Sequence, residues 1–166
     1  ANATADIALH EITPWSVTFK VTVPMAIDAD ITTYVTLSDK IARVGFKTVV
    51  TNRAEDHRLR ALFTSDIVTV HVYAEGQFDV VRRDIQPSPF WKNPCNAQRA
   101  QAFVTLESDT DDGIALMVAN RGLCEYEVLR DGRNTLAVTL LRAVGEIGDW
   151  GVFPTPLGQK KGTWML

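Results

Sequence analysis

The chain has 166 residues, enough for one domain with a complete hydrophobic core. Its 46% apolar and 22% charged residues are those of an ordinary globular protein. A net charge of −3 argues against the clustered basic surface that nucleic acid requires, and no run reaches the ~18 apolar residues of a membrane span. No signal-peptide pattern is visible. Cys95 and Cys124 lack CxxC spacing and read as free thiols in a reducing, cytoplasmic compartment. The opening "ANA" (1–3) reads as a cloning remnant. The closing "GTWML" reads as a strand stopped in mid-pattern, with Trp164 and Leu166 alternating. The expectation is a single domain over residues 1–166 that belongs to a longer polypeptide.

Period-two alternation runs through the chain. "WSVTFKVTV" (15–23) puts Trp15, Val17, Phe19, Val21 and Val23 on one face and Ser, Thr and Lys on the other, the pattern of a half-buried strand. Strands or short buried runs follow at 31–37, 41–52, 58–65, 68–75, 101–108, 113–120, 124–130 and 134–144. Asp39-Lys40, Asp111-Asp112-Gly113, Asn120-Arg121-Gly122 and Asp131-Gly132 mark turns, and "LRDGRNTL" reads as a β-hairpin. No window carries a capped 3.6-residue stripe. One helical turn is expected at most, in "NAQRAQAF" (96–103). The prolines of 84–96 interrupt any ladder there. Eight to eleven strands predict an all-β antiparallel sandwich.

Few residues in this pattern point to chemistry. His10, His57 and His71 are scattered, without HxH or HxxxH spacing, so no metal site is expected. Neither thiol has a histidine near it, and no GxSxG or phosphate-cradling glycine loop is present. Glu125 and Glu127 share a strand face at roughly 7 Å, but read as solubilising rather than as the paired carboxylates of a glycosidase. Arg142 stands in the almost wholly apolar run 136–144, where both strand faces are expected to be covered. Its guanidinium then needs a carboxylate, a carbonyl or a ligand hydroxyl. In "NRAEDHRLRALF" (52–63), Asn52, Glu55 and Asp56 suit a turn. Glu55 or Asp56 is expected to pair with Arg58 or Arg60, and His57 to be a hydrogen-bonding turn residue.

Five segments in order, "VGFKTVVTNRAEDHRLRALF" (44–63), "AEGQFDVVRRDI" (74–85), "GIALMVANRGLCEYEV" (113–128), "TLAVTLLRAVG" (135–145) and "FPTPLGQKKG" (153–162), resemble the C-terminal β-sandwich region of glycoside hydrolase family 38, in its bacterial α-mannosidase and mannosylglycerate hydrolase branch. The resemblance implies a galactose-mutarotase-like supersandwich. It implies a parent that hydrolyses α-mannosides with retention, through a separate N-terminal catalytic domain holding zinc and the aspartate nucleophile. Within this chain it implies no catalytic residue, metal or cofactor. Arg142 matches one member of an arginine pair that reaches the sugar cavity in relatives, although "LLRAV" lacks the second arginine. Arg82 and Arg83 fall where the family has basic residues and are candidates for a domain contact.

The favoured function is therefore a C-terminal β-domain that packs on the catalytic domain and completes the site for a mannose-containing carbohydrate, inactive alone. The alternatives are a stand-alone carbohydrate-binding module and an aldose epimerase. The module would use Phe90, Trp91, Trp150 and Phe153 as an aromatic platform, residues that equally suit a domain interface. The epimerase would use His57 or His71 with a carboxylate. An unpaired strand edge also makes a homodimer an expectation.

Overall fold

The computed structural model describes residues 4–92, 94–110, 112–147, 153–155 and 158–166, with the backbone alone for 147 and 153. Among them are fifteen β-strands, with antiparallel pairing, and no α-helix. The chain packs as two compact units: Ala1–His57 with Arg142–Leu166, and Arg58–Leu141.

The first unit is built on one five-stranded sheet. β1 (Asp6–Ile12), β2 (Ser16–Val23), β3 (Ala29–Ser38), β4 (Val44–Asn52) and β15 (Gly162–Met165) follow one another in that order across it. Residues paired across antiparallel strands project from the same face. Val17, Phe19, Val21 and Val23 of β2 pair with Leu37, Val35, Thr33 and Ile31 of β3, which pair in turn with Val44, Phe46, Thr48 and Val50 of β4. One face is thus almost entirely apolar. The other carries Thr18, Lys20 and Thr22, Tyr34 and Thr36, Lys47 and Thr51, with hydroxyl pairs such as Thr18–Thr36 at 3.0 Å.

Two details of this sheet depart from the sequence expectation. Trp15 precedes β2 in a turn, where its N–H donates to Thr13 Oγ1, and its side chain is exposed. β1 breaks strict alternation because it contains a bulge: Leu9 pairs with Phe19, but Glu11 pairs with Thr18 and Ile12 with Val17. The extra residue, His10, turns toward Tyr34, with ring centroids 4.8 Å apart. In a regular strand, three positions apart, Leu9 and Ile12 would point to opposite faces.

The second unit is a sandwich. β6 (His71–Glu75), β7 (Val80–Asp84), β9 (Phe103–Glu107) and β10 (Ala115–Ala119) form one sheet in the order β10-β9-β6-β7. β5 (His57–Phe63), β8 (Gln98–Arg99), β11 (Glu125–Val128) and β12 (Leu136–Ala143) form the other in the order β5-β12-β11-β8. Val72, Ala74, Val104 and Leu106 from the first sheet meet Tyr126, Val128, Leu136 and Val138 from the second in one buried cluster. Truncating a fully buried member such as Leu106 or Leu136 to alanine costs about 2–5 kcal/mol. The expected "LRDGRNTL" hairpin joins β11 to β12, with Gly132 and Asn134 at φ of 75° and 47°. The helical turn expected at 96–103 is instead β8: Gln98 and Arg99 pair with Tyr126 and Glu125, supplying the backbone partners that the edge of β11 requires. Strand pairing overrides the weak local preference there.

The strand count also exceeds the sequence reading. β8, β13 (Glu146–Ile147) and β14 (Phe153–Pro154) have two residues each, too few to show a period.

The turn 52–57 is held within the first unit by residues about a hundred positions later. Buried Asn52 donates from Nδ2 to the Ala54 and Lys160 carbonyls, at 3.1 and 2.8 Å. Asp56 Oδ1 accepts from Gly145 N–H (2.8 Å) and Gln159 Nε2 (2.6 Å), while Gln159 Oε1 accepts from Asp56 N–H (3.0 Å). These donors, Gly145 first, hold the Asp56 carboxyl below its ordinary range. Glu55 pairs with Lys161 and Arg53 with Asp28 and Asp30. Gly158, beside Gln159, is equally constrained. Gly158 accepts from Val144 N–H, and a Cβ at Gly158 would run into the Val144 carbonyl oxygen. Gly158→Ala should therefore lower the urea midpoint of the chain by the equivalent of about 1–3 kcal/mol. An unchanged midpoint would show that this approach is not needed.

Candidate functional site

β7 carries "VVRRD", and its alternation sends the two arginines to opposite faces. Arg82 is exposed. Arg83 turns inward, and its Nη1 donates to Tyr126 Oη at 2.9 Å and to the Arg99 carbonyl at 3.0 Å, tying β7 to β11 and β8 of the facing sheet. Tyr126 is 2% exposed, so its phenol needs this partner. Burial pushes the Tyr126 hydroxyl above the usual tyrosine range, against the opposing pull of the Arg83 charge and hydrogen bond.

Above this pair the irregular segment after β7 forms the wall of an open groove of about 380 Å³. Asp84, Gln86, Asn96 and Gln98 line it with donors and acceptors, and Trp91 adds an indole that is 59% exposed. With its amide oxygen toward Arg130, Asn96 accepts from that guanidinium at 2.9 and 3.1 Å, which fixes one wall. Phe90 is exposed but does not line the groove. His71 Nδ1 is buried 3.0 Å from Asp84 Oδ1, but out of line for a hydrogen bond, so it has no hydrogen-bond partner. The arrangement suits a polar ring-shaped ligand, with apolar C–H faces for the indole and hydroxyls for the amides and carboxylate.

The charges of 52–63 have a different destination from the one expected. Arg58 and Arg60 of β5 do not pair with Glu55 or Asp56. Arg58 reaches Glu125 (3.4 Å) and Glu127 (3.1 Å), and Arg60 reaches Glu127 (2.9 Å), across the intervening β12. Two short residues make the crossing possible. Ala137, paired with Glu127, is fully buried, and Thr139 donates its hydroxyl to Glu125 at 2.7 Å. Glu125 and Glu127 are thus half-buried members of an ion ladder, rather than solvated surface charges. Both carboxylates are engaged by donors of β5 and β12. His57 is half-buried, its Nδ1 3.3 Å from the Glu55 carbonyl, as expected of a turn residue.

The remaining candidates are dispersed. Arg142 is exposed near the end of β12, although the apolar run around it predicts that both strand faces are covered. Phe153 opens β14, and Trp150 lies outside the described residues. Arg83 and Trp91 are the two candidates that share a groove. Sequence reading missed Tyr126, although a tyrosine between two same-face glutamates in "CEYEV" had to point to the core and find a partner for its hydroxyl. Among the described residues no three His, Cys, Asp or Glu side chains converge on a metal position, and no helix is long and apolar enough to cross a membrane. Cys95 and Cys124 are free and exposed.

The family model described as "Glycosyl hydrolases family 38 C-terminal domain" matches residues 6–146. The chain belongs to this family. A curated protein of Halalkalibacterium halodurans, named "Putative mannosylglycerate hydrolase", is 38% identical over 143 residues, which are 84% of this chain and 15% of that protein. The fold is that of the same region in larger chains. An alpha-mannosidase from Enterococcus faecalis V583 superposes with a TM-score of 0.86 at 35% identity, over 99% of this chain and 21% of that one. A glycosyl hydrolase family 38 protein from Enterococcus faecalis gives 0.84 at 32% identity, over 99% and 22%. This family 38 C-terminal domain therefore spans about a fifth or less of the relatives it matches.

The Arg83–Tyr126 bond makes a pH-dependent prediction. Tyr126→Phe should cost about 1–2 kcal/mol at pH 8. A hydroxyl whose folded pKa is raised contributes stability that is complete below the unfolded value and lost as pH rises through the folded one. Above about pH 10 the unfolded tyrosine ionises first, so wild type loses stability that Tyr126→Phe keeps. Urea titrations at both pH values should show the gap narrowing, and a constant gap would overturn the assignment.

Proposed function

We propose that this chain is a C-terminal β-domain of an α-mannosidase-type glycosidase and is catalytically silent alone. It would pack against an N-terminal catalytic portion of the same polypeptide and help close the site around a mannose-containing substrate. The observation that carries this reading is the family match over 6–146, joined to a superposition on an alpha-mannosidase that is nearly five times longer. The residues present here support a silent role. The two adjacent glutamates are engaged by Arg58 and Arg60, and the described histidines lie on separate strands without convergent ligands.

In this reading the catalytic portion supplies the carboxylate nucleophile of a retaining hydrolase. Zinc is likewise assigned to that portion, because the donors described here do not fit it. Arg142, exposed on β12, is proposed to reach a sugar hydroxyl in the assembled enzyme. The cytoplasm is the proposed location, in keeping with two free, exposed thiols.

One observation favours a second reading, a carbohydrate-binding module. Trp91 exposes its ring on a groove that also presents Asp84, Asn96 and Gln98.

An aryl α-mannoside separates these readings. The 166-residue chain should give no turnover above a heat-killed control, with or without added Zn²⁺, while the full-length parent should cleave it and lose that activity to a chelator. Turnover by the chain alone, or none by the parent, would overturn the first reading. Saturable mannose binding by the chain, abolished in Trp91→Ala, would establish the second.

A further inference from the structure

Part of the apolar face of the β1–β4–β15 sheet is exposed among the described residues. The row Ile31–Val50 is buried, at 8% and 1% exposure. Four strand positions further along, past the Val21–Thr33–Thr48 row, the row Leu9–Phe19–Val35–Phe46 is open at Leu9. The next row, Ile12–Val17–Leu37–Val44, stands open as well. Leu9 is 56%, Ile12 65%, Leu37 49% and Val44 46% exposed. Neither row contains a charged or hydrogen-bonding side chain. Trp15, 72% exposed, adjoins the last row at the β1–β2 turn.

Three features show that this surface is built rather than incidental. The opposite face of the same sheet is threonine- and lysine-rich, so the sheet is one-sided along its whole length. The His10 bulge in β1 returns Ile12 to the apolar face, although an edge strand facing water would do better with Ile12 turned away or replaced. A contiguous apolar surface free of charge is the composition of a permanent interface, whereas exchangeable partners meet on more polar surfaces.

We infer that this face is the seat of another part of the same polypeptide, which lays apolar side chains over the Leu9 and Ile12 rows and completes the core that Ile31 and Val50 begin. The occupant is argued from length. In the two solved relatives this fold accounts for 21% and 22% of the chain, so four fifths of a polypeptide of that kind lies outside it. The inference rests on the proposed parent enzyme and gives its assembly a surface distinct from the Trp91 groove and from Arg142.

Hydroxyl-radical footprinting of the 166-residue chain and of the full-length parent tests this. Labelling of Leu9, Ile12 and Leu37 should fall severalfold in the parent. Met165, which pairs with Val49 and projects from the opposite face at 69% exposure, serves as a reference for labelling dose. Equal labelling of Leu9, Ile12 and Leu37 in both proteins would overturn the inference. So would protection that appears only in the isolated chain and grows with its concentration, which would assign the face to a second copy. In the parent, Leu37→Asp should lower Tm and open the chain to limited proteolysis, whereas Lys20→Asp on the other face should do neither. Equal effects of the two variants would overturn the inference. The outcomes remain separable from the proposed function. A parent protected at Ile12 but inactive on α-mannosides refutes the function alone, and an active parent labelled freely at Ile12 refutes the docking face alone.

Discussion

An antiparallel strand sends alternate side chains to opposite sides, and an apolar side must be covered if the sheet is to persist in water. Most of this molecule follows from that constraint. In the Arg58–Leu141 unit two four-stranded sheets cover each other, and Val104, Leu106, Tyr126 and Leu136 form a core less than 3% exposed. In the other unit a single long sheet carries an equally apolar face, of which one end is buried and the other is not. The contrast between a satisfied and an unsatisfied sheet is the main physical fact about this chain. It connects the local alternation of "SVTFKVTV" to the assembly in which such a domain works.

The polar groups are arranged around the same constraint. Arg83 enters the edge of the sandwich because Tyr126 brings a hydroxyl into the core that needs a partner. Arg58 and Arg60 reach the glutamates of the next strand but one, and Thr139 of the intervening strand donates to Glu125 as well. These half-buried pairs join β5 to β11 across β12. Asn52, fully buried, satisfies backbone groups at 54 and 160 and fastens the turn to the C-terminal strand region. The charge-rich stretch 52–63 is thus divided among several structural tasks, which leaves little of it for chemistry.

Family membership agrees with this picture. The chain belongs to the family 38 C-terminal domain, and among its described residues no three His, Cys, Asp or Glu side chains converge. What its residues do best is hold shape and present surfaces: a groove with one indole and several amides, an exposed arginine on β12, and an uncovered apolar sheet.

Local pattern was enough to read much of this. Alternation located β2 to β6 and β9 to β12, because half-burial imprints a two-residue period on the strand itself. The Asp-Gly turn located the β11–β12 hairpin, because a left-handed φ restricts residue choice at that point. Five ordered segments identified the family. Tertiary structure decided what local pattern cannot encode. β1 was hidden by its bulge, since one inserted residue destroys the period while preserving the face. β8 exists only because β11 offers an edge. The partners of Arg58 and Asp56 lie 69 and 103 residues away, and nothing in the neighbouring sequence distinguishes Glu127 from Glu55 as the counter-charge. Sequence determines which face of each strand is apolar. Only the packed sheets decide which of those faces are covered within the chain and which are left for something else to cover.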